Sequence, residues 1–164
     1  MARSKAKLAA GTPATVALNA AGIAYTLHPY QHRADAGSFG AEAAEQLGLD
    51  PRRIFKTLVA DVSAQLAVAV VPVAGHLDLK ALAQLMGAKK AQMADPQAAA
   101  RSSGYILGGI SPIGQRSRLP TVVDTSATDF DTVFVSAGRR GLQVELSPAD
   151  LIAITQARTA PITA

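Results

Sequence analysis

Residues Ile54 to Val71 read IFKTLVA-DVSA-QLAVAVV, two β-rich runs around a four-residue break. Branched and apolar residues favour extended chain, and Asp61 and Ser63 are turn formers, so the segment predicts an antiparallel hairpin with its turn in Asp61-Val62-Ser63-Ala64. The flanking sequence is punctuated by helix signals. Thr12-Pro13 supplies an N-cap and a proline at the first helical position, and Gly22 closes that helix. Ala24 to His28 then reads as a strand ended by His28-Pro29-Tyr30. Ser38 caps a helix through Gln46, stopped by Gly48 and Pro51. After the hairpin, Asp78 caps a helix to Met86, and Asp95-Pro96 starts another that Gly104 ends. Thr121 to Val123, Thr132 to Val135 and Leu142 to Leu146 predict further strands, and Ser147-Pro148 opens a last helix toward Gln156. No repeat, linker or low-complexity block intervenes. The expected fold is a single α+β domain over residues 12–158. Its sheet is mixed and mostly antiparallel, or a partial barrel, flanked by helices, behind a flexible basic arm at 1–11.

The chain has 164 residues, 49% of them hydrophobic, enough for one domain with a real core. It contains no Cys, which removes disulfides, thiolate metal sites and cysteine nucleophiles and fits a cytoplasmic setting. A net charge of +4 favours an anionic partner, although a modest excess is also what a solvated surface carries. The basic N-terminus leads into an Ala-rich run, but Thr12, Pro13, Thr15 and Asn19 break its apolar region, so no signal peptide is expected. The longest apolar run, Leu66 to Ala74, contains Pro72 and is too short to span a bilayer, so no membrane partner is expected.

Three places carry possible chemistry. Gly104-Tyr105-Ile106-Leu107-Gly108-Gly109-Ile110-Ser111-Pro112, with Gly114 following, reads as a short strand at Tyr105 to Leu107 running into a stiff glycine loop. Such a loop offers N–H groups to an oxyanion, ribose or phosphate, whereas a lone Gly-Gly is usually an ordinary turn. In the first β-run, alternation puts Ile54, Lys56 and Leu58 on one face. A lysine there either meets an anion in a cleft or is an edge lysine that snorkels to water. The third place is Ser136 with Arg139 and Arg140, where a strand ends in a basic glycine turn. Ser136 could bond a polar substrate group and the arginines phosphate, or the turn is a plain hairpin with solvated charges. Tyr30 either lines a pocket or packs. Lys89, Lys90, Arg116 and Arg118 could extend a basic surface toward RNA. His28 and His32 are four apart, but Pro29 breaks the helix that would align them, so no metal site is expected. No cofactor fingerprint, P-loop or Ser-His-Asp order is present.

Taken together, these stretches resemble the YbaK family of freestanding tRNA-editing proteins, the cysteinyl-tRNA(Pro) deacylases related to the insertion domain of bacterial prolyl-tRNA synthetase. The resemblance is carried by Leu27-His28-Pro29-Tyr30, Phe39-Gly40, Phe55-Lys56-Thr57-Leu58, Pro72-Val73-Ala74-Gly75, Leu77-Asp78-Leu79-Lys80, Gly87-Ala88-Lys89-Lys90, Met93-Ala94-Asp95-Pro96, Gly104-Tyr105, Gly108 to Pro112 and Val135 to Gly141, in family order. Phe134 stands where the pattern has tyrosine and Ala137 where it has glycine.

The resemblance implies a trans-editing deacylase for Cys-tRNA(Pro), with Cys-tRNA(Cys) as a second candidate. It implies Lys56 and Gly108 as catalytic residues, and Tyr30, Gly109, Ile110, Ser111, Pro112 and Ser136 around the aminoacyl end. Arg116, Arg118, Arg139 and Arg140 are the candidates for tRNA, with no metal, no cofactor and no DNA partner. Prolyl-tRNA synthetase is a candidate second partner. The implied mechanism uses no protein nucleophile: the substrate's own thiol attacks its ester carbonyl, which makes the enzyme formally a lyase, and otherwise a hydrolase. Two rivals stand beside this reading, a deacylase for alanyl- or seryl-tRNA and a non-catalytic module that binds aminoacyl-tRNA or a synthetase.

Overall fold

The structure, a computed structural model, describes residues 11–33 and 39–164; the basic arm before Gly11 and the Ser38 cap lie outside the described residues. The chain runs α1 (Pro13–Ala20), β1 (Thr26–Pro29), α2 (Phe39–Leu47), β2 (Phe55–Val62), β3 (Gln65–Pro72), α3 (Leu79–Leu85) and β4 (Ala91–Met93). It continues through α4 (Pro96–Ser103), β5 (Thr121–Asp124), a 3-10 turn (Thr125–Asp129), β6 (Val133–Arg139), β7 (Leu142–Leu146), α5 (Pro148–Thr155) and β8 (Arg158–Ala160).

The expected hairpin is the centre of the larger sheet. β2 and β3 pair without interruption from Phe55–Pro72 to Val62–Gln65. The turn is only Ser63-Ala64, with φ of +50° and +72°, and the Asp61 carboxylate accepts the Ala64 N–H at 2.8 Å. Two positive φ values match the right-handed twist of the flanking strands, and the aspartate compensates for the absence of glycine. The sheet order is β4-β2-β3-β5-β8, with the β3–β5 and β5–β8 pairings parallel. A second, antiparallel sheet has the order β1-β7-β6. The two meet at one parallel bridge between Ile54 and Phe134, where the Phe134 N–H donates to the Arg53 carbonyl at 3.0 Å. Arg53 reinforces the junction: its guanidinium lies over the Phe134 ring and donates to Thr132 Oγ1 at 2.6 Å. The result is mixed, mostly antiparallel and not a closed barrel.

Strand alternation sorts the core. Leu18, Phe55, Val68, Val70, Val133, Val135, Val144 and Leu151 fill the space between the sheets, α1 and α5. Val62, Val71, Leu82, Val122 and Ile162 form a second cluster under α3. Each such side chain contributes about 1.5–3 kcal/mol relative to exposure, so packing of these faces fixes how the sheets meet.

Two expectations need correction. Tyr105 to Leu107 is not a strand, because the Tyr105 ring turns into the core and its hydroxyl donates to the Ile113 carbonyl at 2.6 Å. The packed chain also continues past residue 158. Arg158–Ala160 extends the large sheet, Ile162 is fully buried, and its carbonyl accepts the Asp78 N–H at 2.7 Å.

Candidate active site

A cavity of about 510 Å³ opens where the two sheets join. That volume is in the range of small-molecule sites. Its floor is residues Ile54 to Val59 of the β2 segment, consecutive rather than alternate. The reason is an open strand edge. β4 pairs only with Ala60 to Val62, and the Val59 carbonyl accepts the Ala94 N–H at 3.0 Å. In an antiparallel ladder alternate residues turn their backbone to opposite sides, so Thr57, like Val59, turns its peptide groups away from β3 and toward the cavity.

Lys56 lies in this floor, half-buried, with no ion pair among the described residues. Burial lowers its pKa from the usual lysine value. The sequence offered an edge lysine or a cleft lysine; Lys56 lies on the unpaired edge of β2, and that edge lines the cleft.

The glycine loop forms the opposite rim, with Leu107, Gly108 and Ile110 lining the cavity. Gly108 has φ +83°, and a Cβ there would fall 2.7 Å from the ring of Phe39, itself a cavity wall. Among the described residues none accepts the N–H of Gly108 or Ile110. Gly109, Ser111 and Pro112 stand behind the loop and do not line the cavity. A Cβ on Gly109 would meet the Arg139 backbone at 2.8 Å, and the fully buried Ser111 accepts the Ile113 N–H at Oγ, 3.2 Å away. These three shape the loop from inside.

Tyr30, Ser136 and Gln143 complete the wall on the side of the smaller sheet. Ser136 accepts the Gly138 N–H at 3.2 Å, which leaves its hydroxyl proton free to donate. β6 bulges between Ser136 and Arg139, and the residue there with positive φ is Gly138, at +108°. Ala137 is buried in the core and is not among the residues with positive φ, so its backbone does not require glycine. Burial raises the Tyr30 pKa, against hydrogen bonding from Gly141 and Gln143. Thr57 and Gln143 were not singled out from sequence. Each has a buried oxygen, Oγ1 and Oε1, with no hydrogen-bond partner among the described residues.

The arginines divide. Arg140 donates from Nε to the Leu107 carbonyl at 2.9 Å and lies over the Phe39 ring, so it belongs to the rim. Arg116, Arg118 and Arg139 are exposed. His28 and His32 do not converge: each is 2.8 Å from a carboxylate oxygen, of Glu145 and Glu42 respectively. No group of three potential metal ligands occurs among the described residues. None of their helices is long and apolar enough to cross a membrane.

The site is thus a largely apolar cavity holding one lysine, with a glycine loop on its rim and Arg140 beside it. The aminoacyl-tRNA editing domain matches residues 35–154, and the chain belongs to that family. It is 42% identical over 121 residues to a protein of Enterococcus faecalis named as a Cys-tRNA(Pro)/Cys-tRNA(Cys) deacylase, EbsC, covering 73% of this chain and 74% of the relative. Among solved structures, one titled a trans-editing enzyme for prolyl-tRNA synthetase superposes with a TM-score of 0.82 at 23% identity, covering 93% of this chain and 95% of the other. The hypothetical protein APE2540 gives 0.79 at 26% identity, covering 90% and 96%. These likenesses match the predicted fold.

Proposed function

We propose that this protein is a cytoplasmic trans-editing deacylase that removes cysteine from misacylated Cys-tRNA(Pro), with Cys-tRNA(Cys) as a second substrate. One observation carries the reading: the cavity is lined by Lys56 and by Gly108 and Ile110, whose N–H groups have no acceptor among the described residues, and no lining nucleophile is hydrogen-bonded to a basic side chain among them. Groups of that kind stabilise charge; they do not attack an ester. The nucleophile then comes from water or from the substrate, and the deacylase reading takes the substrate's own thiol. The cysteine thiolate attacks its own ester carbonyl, a sulfur–carbon bond forms, and the bond from that carbon to the ribose oxygen breaks. The ribose oxygen leaves with a proton as free tRNA, and the amino acid leaves as a cyclic thioester.

The reference thiol pKa of about 8.5 provides a useful thiolate fraction near neutrality. Holding thiol and carbonyl together removes orientational entropy from the barrier. A loop N–H at the developing oxyanion contributes roughly 3 kcal/mol. Lys56 supports the same negative charge or holds a phosphate. Gly109, Ser111 and Pro112 act by holding the loop in shape, while Tyr30, Ile110 and Ser136 contact the aminoacyl end. Arg116, Arg118, Arg139 and Arg140 serve the tRNA backbone, and prolyl-tRNA synthetase is a candidate second partner.

Purified protein incubated with Cys-tRNA(Pro) and Pro-tRNA(Pro) tests this. The cysteine ester should be lost many times faster than in buffer and the proline ester should survive. Binding that protects both esters would favour the non-catalytic module.

A further inference from the structure

We propose that Gln143 holds the α-ammonium group of the aminoacyl ester, so that the cavity selects a free aminoacyl group over one whose amine is absent or blocked. The inference rests on the deacylase reading above. Gln143 lies on β7, directly across from Ser136 in the β6–β7 register, and both residues line the cavity. It is 6% exposed, and its Oε1 is buried without a hydrogen-bond partner among the described residues. An unsatisfied buried acceptor disfavours folding, so its place in the wall of a ligand cavity points to a donor that arrives with the ligand.

The neighbours say which donor. The substrate class brings an ammonium, ribose hydroxyls, a carbonyl and a thiol. Lys56 and the N–H groups of Gly108 and Ile110 are donors, suited to the carbonyl or phosphate and unsuited to a second cation. Gln143 stands on the other sheet. Tyr30 lines the cavity on the same side, and its hydroxyl feels the negative charge of Glu42. An ammonium has three donors and no acceptor, so it fits this acceptor-bearing, mildly negative end. A hydroxyl could bond Oε1 but gains nothing from that field. An N-acyl group would replace the cation with a bulky neutral amide and lose the same bond.

The test compares cysteinyl-tRNA(Pro) with 3-mercaptopropionyl-tRNA(Pro), which keeps thiol and ester but lacks the amine, and with N-acetylcysteinyl-tRNA(Pro). Wild-type protein should prefer the cysteinyl ester over both by about tenfold or more in kcat/KM, as a charged hydrogen bond implies. Gln143→Leu should lower the cysteinyl-to-mercaptopropionyl ratio to that of the two esters in buffer without lowering Tm, because it removes an unsatisfied group. Gln143→Glu should keep or widen the preference. A wild-type ratio no higher than that in buffer overturns the proposal without any variant. A Gln143→Leu enzyme that keeps the wild-type ratio, whatever its absolute rate, also overturns it and assigns Oε1 to another donor, such as a ribose hydroxyl. If wild-type protein cleaves no cysteinyl ester, the deacylase reading fails and takes this one with it; a preserved ratio in an active enzyme defeats this proposal alone.

Discussion

Gly108 and Phe39 are in van der Waals contact across the mouth of the cavity, so close that a methyl group on Gly108 would fall 2.7 Å from the aromatic ring. Phe39 in turn lies under the Arg140 guanidinium, 5.1 Å from the ring centre. Arg140 holds the Leu107 carbonyl. The loop, α2 and the β6–β7 turn therefore share one rim, and a change in any of them moves the others.

Gly108→Ala should reduce turnover by about 100-fold, since it displaces Phe39 and shifts the loop from its reactive geometry. A positive φ of +83° adds a backbone cost of about 1–2 kcal/mol for a residue with a side chain. Single-turnover kinetics beside a thermal melt separates the two effects.

Lys56→Met should abolish most deacylation and leave the protein at least as stable at neutral pH. Burial disfavours the charged lysine, so below its folded pKa the native state carries a penalty that methionine lacks. Between the folded and unfolded pKa values the unfolded chain binds more protons, so wild-type stability gains from this group as pH rises through that window. The advantage of the methionine variant should shrink over the same alkaline range, as followed by denaturant midpoints.

Much of this was legible in the sequence because it is local. Thr12, Asp78, Asp95 and Ser147 each accept a backbone N–H at the start of their helix, as expected of capping residues. The hairpin is likewise written in its own residues. Lys56 was legible as an anomaly, a cation in an apolar alternation. Ser111 was not, since only the buried Tyr105 ring shows that the loop turns its serine inward. β4 and β8 are three residues each, too short to carry a periodic signal. Thr57 and Gln143 read as ordinary strand polar residues. What distinguishes them is the lack of a partner for a buried oxygen, a property of the assembled cavity.

Asp124 should control acid stability. Burial raises its pKa, but hydrogen bonds from Ser126 and the Ile162 N–H outweigh that and hold the carboxyl below its usual range. The stabilisation is present above the unfolded value of about 4 and is lost as pH falls through the folded value. Asp124→Ala should cost about 1–3 kcal/mol near neutrality by leaving the Ile162 N–H unpaired. Its denaturant midpoint should show less loss on acidification than wild type.

Replacing Arg116 and Arg118 with Ala should weaken tRNA binding without touching the cavity. If each meets one phosphate, the slope of log K against log salt falls by about 0.7–0.9 per residue. Arg140→Ala should differ by lowering turnover as well, because it also loosens Leu107 and Phe39. Filter binding over a salt series, with turnover measured in parallel, distinguishes them.

The claim that the substrate supplies its own nucleophile is tested most directly by single-turnover rates on one tRNA(Pro) charged with cysteine, serine or alanine. The three side chains are similar in size and differ in nucleophilicity, so the cavity admits all of them while only the thiol is appreciably ionised near neutral pH. Cysteinyl-tRNA should be cleaved much faster than seryl-tRNA, and alanyl-tRNA slowest of all. Alanyl-tRNA cleaved as fast as cysteinyl-tRNA would contradict the mechanism and require an activated water in its place.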